Sequence, residues 1–329
     1  MHPPFSMVFL TTLIGAGQGL FLALFTGQVF SQFKLLQEHD SQFFVIGTAL
    51  SVLLLCMGLF SAFFHLGRPE RAWRSATRWK TSWLSREIIA LPAALGAVAL
   101  YGLAHFLGYT EPLMITEGGT QIDPTLLIGL LATIAVYVLF VCTGMIYAGI
   151  KFLQEWHTPL TVINYILLGT ASGFTIATAL AAYLANGDNS LVPFYATWAI
   201  VFTFLALVTR SASLIRNRYY IKPKSDLRSA IGINHKNIKQ IAQGSMGGSF
   251  NTREYFHGKS AGFVSNMKII FLVLVFAIPL VLLVLTFNLS GFIIPLLAVF
   301  IQYIGLMVER WVFFADANHP QNLYYQQIS

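Results

Sequence analysis

Residues 124–150 read PTLLIGLLATIAVYVLFVCTGMIYAGI, and no acidic, basic or histidine residue interrupts them. At roughly 1.5 Å of rise per residue such a run outreaches the about 30 Å hydrocarbon layer of a bilayer, where only a helix pairs its own backbone groups. The same kind of block recurs along the chain. A window of about 19 residues places spans near 5–32, 42–65, 85–108, 124–150, 160–186, 191–215, 262–287 and 290–314. The chain has 329 residues, 56% hydrophobic and only 10% charged, a balance that excludes a water-soluble enzyme. The expected fold is all-α: a polytopic membrane protein with eight transmembrane helices in two four-helix bundles, 1–150 and 151–329. The first span follows directly on Met1, His2, Pro3 and Pro4. Without a basic n-region or a small-residue cleavage site, it reads as a retained helix. Pro279 and Pro295 fall inside the last two spans, where neighbouring helices can satisfy the carbonyls a kink sets free.

Charge then orients the spans. Of the 20 lysines and arginines, Lys34 alone falls on the side opposite the two termini. The terminal side carries the cluster from Arg68 to Arg86, Lys151, Arg210, the run from Arg216 to Lys268, and Arg310. By the positive-inside rule that side is cytoplasmic, and the formal net charge of +7 needs no nucleic acid to explain it. The opposite loops carry Asp40, Glu111, Glu117, Asp123 and Asp188. One loop, 216–262, is long, polar and basic, with Gly244, Gly247 and Gly248 close together. It reads either as a surface loop or, through Phe250, Tyr255 and Phe256, as a docking element.

Ionisable groups beside membrane spans are costly and mark the first places to look for function. The densest set runs from His65 to Glu87 and contains Trp73, Trp79 and Trp83 among the arginines. An amphipathic segment in the headgroup layer accounts for the rings and guanidiniums. It does not account for Glu87, one turn into an apolar helix. Two readings stand there. Ser85 and Glu87 are a helix cap and a first-turn acid, or Glu87 and His65 line one apolar cleft suited to a quinone head group, whose conversion moves two electrons and two protons.

Other redox groups find no ligands. His65 and His105 lie at opposite ends of their spans, and His2, His39, His157, His235, His257 and His319 fall in loops or termini, so no pair suits a haem. Cys56 and Cys142 sit in apolar blocks as packing residues, and no cluster has metal-site spacing. Any electrons must arrive from a partner. Gly15 and Gly19 form a helix-packing pattern, with Gln18 and Gln28 adding unusual polarity. Glu155-Trp156-His157-Thr158-Pro159 reads as a structural turn, and Glu309-Arg310-Trp311 as an adjacent ion pair with an interfacial ring.

The stretch His65-Leu66-Gly67-Arg68-Pro69-Glu70-Arg71-Ala72, followed by Leu84-Ser85-Arg86-Glu87, resembles the DmsC-type anchor subunit of dimethyl sulfoxide reductase-like complexes. The resemblance covers essentially the whole chain. It implies an anchor in the bacterial inner membrane that holds a molybdopterin catalytic subunit and an iron–sulfur subunit and exchanges electrons with ubiquinone or menaquinone. Its quinone site would involve His65, Gly67, Arg71, Ser75 and Glu87, with His65 and Glu87 the proton-exchanging pair. The segments 152–160, 250–254 and 309–311 further resemble the branch that includes anchors of cytoplasmic-facing sulfite dehydrogenases. The expectation is therefore sulfite oxidation by cytoplasmic partners, with quinone reduced. The alternatives are a dimethyl sulfoxide reductase anchor oxidising menaquinol, a secondary transporter, and a purely structural anchor.

Overall fold

The computed structural model describes residues 1–37, 40–115, 121–185, 191–221, 226–239, 241, 255–289 and 291–325. Several residues singled out above lie outside these: His39, Glu117, Asp188, the glycines at 244, 247 and 248, and residues 250–254, as do Lys222 and Lys224 of the basic run. Among the described residues eight helices are long and apolar enough to cross a membrane. They are α1 (Phe5–Gln32), α2 (Ser41–Ala62), α3 (Trp83–Phe106), α4 (Pro124–Ala148), α5 (Pro159–Leu184), α6 (Val192–Tyr219), α7 (Ala261–Leu285) and α8 (Ile293–Ala315). A two-residue antiparallel pairing of Met114–Ile115 with Gln121–Ile122 closes the connection between α3 and α4.

Side-chain oxygens set most helix starts. Asp40, Ser82, Asp123, Thr158 and Ser260 each accept from a backbone N–H of the first turn, a cap that contributes about 1 kcal/mol. Pro124 and Pro159 follow two of them at the first helical position, where a missing N–H costs nothing. The start of α3 corrects one expectation. Its cap is Ser82, whereas Ser85 is buried inside the helix, so Glu87 stands beyond the first turn and the cap-and-acid reading does not describe it.

The two late prolines behave differently. Pro279 follows a π-helical turn, Val273–Ala277, which widens the helix where the ring would press on the Val275 carbonyl. That freed carbonyl accepts from Gln302 Nε2 of α8 at 3.4 Å. Pro295 makes no kink, because α8 starts at Ile293 and leaves it in the first turn.

Burial identifies the centre. Within their most apolar stretches, 83% of α1 and 72% of α5 are buried, against 28–39% for the other six spans. The two central helices meet through glycines. A Cβ on Gly19 would come within 1.9 Å of the Gly169 carbonyl oxygen, and one on Gly173 within 1.9 Å of the Gly19 carbonyl carbon. Backbones can approach so closely only where side chains are absent. Across this seam a single apolar cluster takes buried residues from all eight spans, from Phe21 and Leu55 to Leu283 and Ala298. Gln18 is satisfied by the Val136 carbonyl at 3.0 Å, and Gln28 by Thr125 and Tyr101.

Candidate functional site

The connection from α2 to α3 is short helical turns, not coil. His65 ends a 3₁₀ turn, Phe63–His65, and a second 3₁₀ segment covers Pro69–Arg78. Neither segment buries a residue. His65, Gly67, Arg71 and Ser75 are all exposed along it, and Arg71 reaches Glu70 only loosely, at 3.9 Å. Arg86 ties the far end down. Its Nε and Nη2 donate to the Trp79 and Lys80 carbonyls at 2.9 Å, while its guanidinium stacks 4.1 Å from the Trp83 ring centre.

Glu87 is where this surface meets the bundle. Its Oε1 accepts from the Thr143 hydroxyl of α4 at 2.6 Å. Among the described residues no hydrogen bond joins it to His65, and none reaches its Oε2. Beside it, between α3 and α4, runs an open groove of about 730 Å³. Ile89, Ala93, Ile134, Val138 and Val141 form its apolar walls, and Trp79, Trp83 and Arg86 stand at its terminal-side end. A long hydrocarbon fits those walls, and a polar head group fits the end where the Arg86 guanidinium lies.

A second constellation was not anticipated as such. Arg210 of α6 and Glu309 and Arg310 of α8 are all buried. Glu309 lies 2.6 Å from Arg210 Nε and accepts from Arg310 Nε and Nη2 at 2.5 and 2.9 Å. Arg310 also packs 4.3 Å above the Tyr165 ring. The expected Glu309–Arg310 ion pair is present, but both arginines, counted above with the charges of the terminal side, are buried within the bundle. The signal was available: a lone Arg within the sixth apolar span requires a buried acid on a neighbour. Two cavities beside Arg310, of about 20 and 10 Å³, have room for a water and nothing larger.

The remaining segments are structural. Trp156 is buried and donates to the Phe313 carbonyl at 2.9 Å, Thr158 caps α5, and Arg216 holds the Gln154 carbonyl at 3.1 Å. Burial pushes the Glu155 carboxyl above its ordinary range, against opposing backbone hydrogen bonds. His319 stacks on Tyr255 with centres 3.8 Å apart, and burial pulls its pKa down. Tyr255 and Phe256, two rings of the proposed docking cluster, thus lie at a pinned loop end; Phe256 itself is buried. At the opposite end of α3, His105 is buried and stacks on Phe44 at 4.4 Å. Among the described residues no three of His, Cys, Asp or Glu converge.

A family model for the DMSO reductase anchor subunit (DmsC) matches residues 1–316. The chain belongs to that family. It is thus a multi-pass membrane anchor and part of an oxidoreductase complex of the DMSO reductase kind. Among curated relatives, a subunit of the sulfite dehydrogenase of Allochromatium vinosum is 52% identical over 329 residues, the full length of both proteins. A component of the anaerobic dimethyl sulfoxide reductase of Haemophilus influenzae is 28% identical over 205 residues, 61% of this protein and 67% of that one. The DmsC resemblance drawn from the motif between His65 and Glu87 therefore holds across the sequence.

Proposed function

We propose that this DmsC-family anchor is the quinone-reactive subunit of a sulfite-oxidising complex whose molybdopterin and iron–sulfur groups reside on partner chains. The observation that carries it is the Glu87 carboxyl, held by the Thr143 hydroxyl on one oxygen with no partner among the described residues on the other; Arg86 next to Glu87 and Cys142 next to Thr143 line the groove between α3 and α4. Quinone is the substrate that such a site suits, an apolar tail with a two-electron, two-proton head. The full-length similarity to a sulfite dehydrogenase subunit supports sulfite as the partner's donor. Sulfite and water then give sulfate, two protons and two electrons, and quinone with two electrons and two protons gives quinol.

The protein's own residues divide the work. Glu87 exchanges protons at Oε2, and the exposed His65, Gly67, Arg71 and Ser75 line the approach from the aqueous face. Arg86, fixed by two carbonyls and a ring, keeps a positive charge at the groove's end, where it favours an oxygen gaining electron density. The site belongs to the 1–150 half. The 216–262 loop of the other half supplies basic surface for partners. The positive charge of the terminal side supports a cytoplasmic position for both termini and those partners at a bacterial inner membrane.

Purifying the complex and comparing donors tests this reading. Sulfite-dependent quinone reduction is the expected activity. Complex that oxidises menaquinol with dimethyl sulfoxide and ignores sulfite would establish the reading favoured by the H. influenzae similarity. An active alkaline phosphatase fused to the C-terminus would overturn the cytoplasmic orientation.

A further inference from the structure

We infer that Thr143 is a positioning residue that selects which oxygen of Glu87 exchanges the proton; this rests on the reading of Glu87 given above. Threonine in a helix ordinarily returns its hydroxyl to a carbonyl one turn back. Thr133, Thr175 and Thr178 do so at 2.8–2.9 Å. Thr143 does not. Its hydroxyl crosses from α4 to α3 and donates to Glu87 Oε1 at 2.6 Å.

The support behind Thr143 is stiff. The residue is buried, and Gly144 beside it lets α5 come so near that a Cβ there would meet the Val162 Cα at 2.9 Å. The donor therefore cannot follow the carboxyl if it swings. A carboxylic acid carries its hydrogen on one oxygen and accepts readily on the other. With Oε1 occupied by the Thr143 hydrogen, the acidic hydrogen is placed on Oε2, the oxygen that accepts from no described residue, and Arg86 and Cys142, the sequence neighbours of Glu87 and Thr143, line the groove. On transfer the Oε2–H bond breaks, its electron pair stays on the carboxylate, and the hydrogen joins a quinone oxygen reduced by electrons from the iron–sulfur partner. Water on the aqueous side restores the proton. Thr143 keeps its own hydrogen throughout, and its bond strengthens while Glu87 is ionised.

The test uses the assembled complex with Thr143→Val, Thr143→Ser, Thr143→Ala and Glu87→Gln. Sulfite-to-quinone turnover, sulfite-to-dye turnover and the infrared carboxyl stretch that disappears in Glu87→Gln are recorded for each. Losing a hydrogen bond to a charged group predicts a fall of about tenfold or more in quinone turnover for Thr143→Val, carried by kcat and not by KM. The carboxyl stretch should move to higher wavenumber, dye turnover should stay as in the wild type, and Thr143→Ser should restore both quinone turnover and the band. Wild-type quinone turnover and an unmoved band in Thr143→Val, with Glu87→Gln inactive, would overturn the role of Thr143 and leave that of Glu87 standing. Wild-type turnover in Glu87→Gln would instead remove the Glu87 reading itself. If the valine variant does not assemble, the alanine variant decides by the same criteria. Failure of both to assemble assigns Thr143 to packing and overturns the inference.

Discussion

Glu87 and Glu309 are both carboxylates held inside an apolar bundle, yet their surroundings are opposites. Glu309 is enclosed by two guanidiniums and beside cavities no larger than a water. Glu87 has one hydroxyl, a second oxygen with no partner among the described residues, and a groove of about 730 Å³ lined by the adjacent Arg86. A buried acid whose partners are complete is fixed in one charge state and serves the fold. A carboxyl left half-satisfied beside open volume retains the freedom to gain and lose a proton. The difference teaches that burial alone does not mark a reactive acid; the unfilled hydrogen-bonding position does.

The largest effect should come from breaking the closed site. Glu309→Gln leaves Arg210 and Arg310 facing one another without a counter-charge and should cost about 3–5 kcal/mol, read as a lower unfolding midpoint and less assembled complex. Glu87→Gln should leave that midpoint near the wild type. Equal losses in the two variants would erase the contrast.

Next in size is the effect on chemistry. Glu87→Gln should lower quinone-coupled turnover about 100-fold or more, and His65→Ala should lower it strongly too, with dye-linked activity of the catalytic partner retained in both. Failure of either variant to insert would favour a structural role for that residue.

A smaller loss should follow from disturbing the glycine seam between α1 and α5. Gly173→Ala forces a methyl group against the α1 backbone and should cost about 1–3 kcal/mol. Gly96→Ala, where nothing lies within 4 Å, is the control expected to show no loss.

The smallest effect concerns pH. His319 is depressed in the folded state by burial, so its contribution to the cap formed with Tyr255 is present above its unfolded pKa of about 6.5 and is lost as pH falls through the folded value. Hydrogen exchange around residues 255–260 should quicken modestly below about pH 6.5, and His319→Phe should abolish that dependence. Unchanged exchange down to about pH 5, well below the ordinary histidine value, would rule it out.

Most of the architecture was legible in the amino-acid order. The first span was expected at 5–32 and runs Phe5–Gln32, and the others fall within a few residues of expectation, because length and apolarity alone define a span. Helix ends were less legible. Ser85 and Ser82 are equally good caps in one dimension, and Pro295 reads as a kink until α8 is seen to start at Ile293. The site was half legible. Glu87 stood out as a carboxylate in an apolar helix, but its partner was sought on α2 at His65, the neighbour in sequence. Thr143 comes from α4, which packs on α3 after a separate connection, and a threonine in an apolar run gives no sign that its hydroxyl leaves its own helix. Arg210 and Arg310 were legible as charges of the terminal side, and Arg310 as the ion-pair partner of Glu309, but their burial and the joining of Arg210 to that pair were not, since a tally of charges by side ignores depth.

Photolabelling with an azido-quinone in native membranes, followed by peptide mapping, would locate the quinone on the bundle. The expected result is label on the groove's two walls, in peptides containing Trp79–Ala93 and Thr133–Thr143, competed by excess quinone and diminished in Glu87→Gln. Label confined to α6, α7 and α8, with the α3–α4 groove unmarked, would contradict a quinone site in that groove.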